Sequence, residues 1–131
     1  MPDSEAVMGQ ELPRLAARLD KARSDIAALR QSRERIQAQM AVLEQQEAKL
    51  GRQAARAQQF GREDLAHIAL ARQQEAQSQR AELTVQLAQL LGEEAKLTTA
   101  AQRFRARKAR IYWFGLRGQD GEDTLGTDGH R

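Results

Sequence analysis

Leu15, Leu19, Ala22, Ile26, Leu29, Ile36, Met40, Leu43, Leu50, Ala54 and Ala57 follow one another at alternating steps of four and three residues. Only Arg33 and Glu47 interrupt them. That rhythm holds one apolar stripe on one side of a helix, which is how a helix presents a seam to a partner helix. The second half repeats it through Ala69, Ala76, Leu83, Leu87, Leu90, Leu97, Ala101, Phe104 and Ile111, with Gln73, Arg80, Glu94 and Lys108 as polar entries. Two seams of similar length, separated by a few residues, predict an all-α fold: a long antiparallel two-helix coiled-coil hairpin. An arm of about forty-five residues would be roughly 70 Å long.

Composition narrows the alternatives. With 40% hydrophobic, 4% aromatic and 30% charged residues and only two prolines, the chain suits a coiled coil better than a globular core. It has no cysteine, which excludes disulfides, thiolate nucleophiles and thiolate metal ligands. There is no run of eighteen apolar residues and no basic-then-apolar start, so the expected location is cytoplasmic. His67 and His130 are the only histidines, too far apart to suggest a metal set or a His-centred nucleophile. The sequence therefore predicts no enzyme, no cofactor, no metal and no small-molecule substrate.

The expected organisation is a short lead over 1–13, a hairpin over 14–114 and a disordered, acidic, glycine-rich tail over 115–131. Pro13 suits the first turn of a helix starting between Gln10 and Arg14. Gly51 and Gly92 read as weak points within the arms. The turn falls near 59–64. Gly61 can adopt the positive φ that ends a helix, and Glu63 and Asp64, before Leu65, place negative charge where the next helix exposes unpaired N–H groups. A fold-back centred near Gly61 brings Glu47 close to Arg72 or Gln73 and Glu94 close to Leu29 and Arg30, polar seam pairs that would fix register.

Gly61-Arg62-Glu63-Asp64-Leu65-Ala66 and the following Ala69-Leu70-Ala71-Arg72 resemble the hairpin-turn signature of the phage-shock protein A and plastid vesicle-inducing protein family. The stretches Gln86–Leu90, Glu94–Leu97 and Phe104–Lys108 are similar to the second arm of that family's hairpin. The resemblance implies an ESCRT-III-like, membrane-stress protein that self-associates or co-assembles with a related coiled-coil protein. His67 and Ile68 depart from the charged pair often found there. The acidic residues 1–13 lack the basic amphipathic face with which family members begin, and the resemblance is to the hairpin region alone.

Both ends are acidic and the arms are basic, which favours anionic partners. Arg103, Arg105, Arg107, Lys108 and Arg110 stand directly before Ile111-Tyr112-Trp113-Phe114. Basic side chains contribute about 1 kcal/mol each near an anionic bilayer, and Trp and Tyr favour the headgroup boundary. The segment is thus a candidate for peripheral attachment to the inner face of the cell membrane. Two other readings remain: the arginines cap the helix while the aromatics cover the hairpin's open end, or the chain is a soluble adaptor for a protein partner. Nucleic acid is disfavoured, since no groove-reading module accompanies the basic residues. Two seams share a thin core, which predicts a homo-oligomer, with Leu70, Leu91 and Val42 widening the stripe toward another subunit.

Overall fold

A computed structural model describes the backbone of residues 2–127 and the side chains of residues 9–115. Two helices, α1 (Pro2–Gln59) and α2 (Glu63–Thr127), pack against each other as an antiparallel coiled-coil hairpin. Among the described residues there is no strand. The α1 ladder residues from Leu15 to Ala57 are all buried or half-buried, Arg33 and Glu47 included. On α2 the same holds from Ala69 to Phe104, after which Lys108 is exposed and Ile111 half-buried.

The turn forms because Gly61, at φ 67°, takes a left-handed conformation that costs a side-chain-bearing residue roughly 1–2 kcal/mol. Its N–H donates to the Gln58 carbonyl at 3.0 Å, and the Arg62 N–H donates to the Ala57 carbonyl at 2.8 Å. This pair of bonds satisfies the last carbonyls of α1 in a Schellman arrangement. The Ala66 N–H then donates to the Arg62 carbonyl at 3.0 Å, which opens α2. Asp64 turns back to the Arg62 guanidinium at 3.1 Å. That hydrogen bond, reinforced by one with the Leu65 backbone, holds its carboxyl below the ordinary carboxylate range.

Helix α1 begins earlier than the sequence predicts. It starts at Pro2, so residues 9–13 are helical turns rather than a lead, and Pro13 lies inside the helix. Packing extends past the ladder's first leucine: Glu11 pairs with Arg107 and Leu12 is half-buried. These contacts offset the hydrogen bond that Pro13 cannot donate. At the other end α2 is traced to Thr127, and the expectation of a disordered tail over 115–131 lies, beyond Gly115, outside the residues whose side chains are described.

Packing divides into two units, Met1–Ala27 with Ala95–Arg131, and Ala28–Glu94. In the first, Leu19, Ala22, Ile26 and Ala101 form a buried cluster against which Leu97 and Phe104 pack. Each large aliphatic side chain buried this way contributes about 1.5–3 kcal/mol. In the second, the buried apolar residues are all alanine: Ala54, Ala66, Ala69 and Ala76. Small side chains let the helices approach closely but supply little apolar area, so polar layers share the seam. Ala66, the most buried of them at 1% exposure, precedes the point where the predicted α2 ladder begins.

Candidate functional site

Two sets of polar side chains interrupt the seam of unit Ala28–Glu94. Glu47, only 7% exposed, accepts from Arg80 Nε at 2.7 Å and from Arg80 Nη2 at 3.2 Å. Gln73 donates to the Glu47 carbonyl at 3.1 Å. Glu94 accepts from Arg33 at 2.7 Å and from Arg30 at 3.0 Å. The expected neighbours Gln73 and Arg30 are therefore present, but the carboxylate partner of Glu47 is Arg80, not Arg72. Long helical side chains lean toward their own N-terminus. In antiparallel helices Glu47 and its guanidinium partner lean in opposite directions, which moves the meeting point toward Arg80 and carries Arg72 away toward the turn.

The basic segment of α2 belongs to the other unit. Arg103, Arg105, Arg107, Lys108 and Arg110 are all exposed, as are Tyr112, Trp113 and Phe114, with Trp113 at 61%. Phe104 points inward and completes the buried cluster. Arg107 is committed to Glu11. Arg105, Lys108 and Tyr112 join Leu12, Leu19 and Arg23 of α1 around an open groove of about 380 Å³. Its floor is apolar, and the charged residues lining it are all cations. No family model, curated protein or solved structure matches the chain. What the groove could bind therefore follows from its lining alone. Three cations over leucines and a tyrosine suit a molecule with an anionic head and an apolar body.

Sequence reasoning singled out Arg105, Lys108 and Tyr112 but missed Leu12, Leu19 and Arg23 as their companions. Leu12 lay in the supposed lead, and Arg23 reads as one more charge on a solvated helix face. The turn residues Gly61 to Leu65 are exposed; Gly61 and Arg62 make the cap described above, and Asp64 holds Arg62. His67 is exposed, and among the described residues no group of His, Asp or Glu side chains could hold a metal ion. No helix of the described residues is long and apolar enough to cross a membrane.

Proposed function

We propose that this protein is a non-enzymatic coiled-coil protein that self-associates and attaches peripherally to anionic membrane surfaces, acting in membrane-surface maintenance or the response to membrane stress. The observation that carries the reading is the groove of Arg23, Arg105 and Lys108 over Leu12, Leu19 and Tyr112, beside exposed Trp113 and Phe114. The cations supply attraction to lipid phosphate, and the aromatics suit the headgroup boundary. The likeness of the 61–72 turn to the phage-shock protein A and vesicle-inducing protein family points the same way and implies assembly with copies of itself or with a related hairpin.

Co-sedimentation with vesicles tests it. The full chain should pellet with vesicles containing phosphatidylserine or phosphatidylglycerol and not with neutral phosphatidylcholine, and salt should weaken the binding. Replacing Arg105 and Lys108 by Glu should abolish it, and Trp113→Ala should weaken it at least severalfold. These side chains are exposed, so the variants should keep the helicity of the parent. Binding to neither kind of vesicle would overturn the reading and leave a soluble adaptor for a protein partner, and equal binding to both would overturn the role given to the cations.

A further inference from the structure

Unit Ala28–Glu94 carries two apolar grooves. One, of about 370 Å³ at the turn, is walled by Phe60, Leu65 and Ile68, and its charged lining residues are Arg56, Arg62 and Arg72. The other, of about 540 Å³, is floored by Val42, Leu43 and Leu83, and its single charged lining residue is Glu82. Both lie on the same flank of the seam. Val42, Arg56, Leu65, Ile68, Arg72 and Glu82 each stand one residue before a seam position, and in an antiparallel pair such positions share one side. Leu70 and Leu91 instead follow seam residues, so they emerge on the opposite flank and do not form one stripe with Val42.

These large apolar residues are open to solvent, Phe60 at 75% and Val42 at 52%. Arg62 is engaged by Asp64, but Arg56, Arg72 and Glu82 have no ion-pair partner among the described residues. The unit therefore shows an apolar groove rimmed by free cations and, on the same flank, a second lined by a free acid.

We propose that this flank is a two-fold interface between two copies of the chain, each seating its turn groove on the other's mid-hairpin groove. The inference rests on the self-association in the reading above and assigns it a face. A two-fold interface requires that where one patch meets a second, the second meets the first. The groove centres are about fourteen residues apart on α1, or roughly 20 Å at the helical rise. One axis passing midway, near Lys49 and Glu75, superposes both pairs at once with the hairpins antiparallel. Phe60 then enters beside Gln39 and Val42 of the second copy. Arg72, leaning N-terminally to the level of Ile68, comes opposite the second copy's Glu82. Stacking turn groove on turn groove would instead crowd the arginines of two copies together.

Because the chain has no cysteine, introduced thiols report the contact without interference. Phe60→Cys and Gln39→Cys, prepared separately in the full chain and mixed under mild oxidation, should give a disulfide-linked pair that neither gives alone. Separately, Arg72→Glu should raise the dimer dissociation constant about tenfold, and adding Glu82→Arg in the same chain should restore it. Cross-linking of Phe60→Cys with itself would overturn the arrangement, as would a charge swap that restores nothing. A chain that sediments as a dimer yet gives no mixed disulfide removes only this face. A chain that stays monomeric removes the self-association as well.

Discussion

Glu47 is the only charged residue buried among those described, and its treatment decides whether the seam has one register. A carboxylate held by a two-pronged guanidinium is costly to leave alone, because its desolvation remains when the partner goes. Arg80 is 39% exposed at its side chain, which screens the pair and trims the penalty. Glu47→Arg should therefore destabilise the hairpin by about 2 kcal/mol in urea unfolding, and a second change, Arg80→Glu, should recover more than half. Arg72→Glu in place of the second change should recover nothing. Recovery by Arg72 would show that the helices pair in a different register. Asp64 gives a pH-dependent counterpart. Its carboxyl is held below the ordinary range in the folded chain, so its contribution is complete above the unfolded value and fades as pH falls through the folded one. Thermal melts of the parent and Asp64→Asn should differ at neutral pH and converge in acid below the ordinary carboxylate range.

The helices themselves were readable from the spacing of apolar residues, since every predicted α1 ladder position from Leu15 to Ala57 lies in the seam. What spacing does not carry is side-chain direction. It therefore gave Gln73 and Arg30 as neighbours but not Arg80, and it found the α2 half of the basic groove without Leu12, Leu19 and Arg23. Nor does it distinguish one glycine from another. Gly51 and Gly92 both read as weak points, yet a Cβ on Gly51 would come 2.9 Å from the Gln73 amide nitrogen, whereas one on Gly92 meets nothing within 4 Å. Gly51 thus leaves room for the amide that reaches the Glu47 carbonyl. Gly92→Ala should raise stability by about 1 kcal/mol, the ordinary helix-propensity gain. Gly51→Ala should fall well short of that gain, because displacing Gln73 forfeits a bond of about 1 kcal/mol. Equal gains in chemical denaturation would mean that Gln73 is not held there.

A chain with so little buried apolar bulk has little stability to draw from its own core. In one unit the buried apolar residues are all alanine, and among the described residues no large side chain is fully buried. If two copies cover each other's grooves, unfolding and dissociation are linked, and the melting temperature must depend on concentration. A hundredfold rise in concentration favours the dimer by about 2.7 kcal/mol, or roughly 1.4 kcal/mol per chain. With an unfolding entropy of about 2.1 cal/mol/K per residue over roughly a hundred ordered residues, the midpoint should rise by about 5–7 °C. Arg72→Glu should flatten that dependence at low concentration by weakening association, while Trp113→Ala, which lies in the other unit, should leave it intact. A midpoint that does not move across the range would mean the hairpin stands alone and its exposed grooves serve another partner.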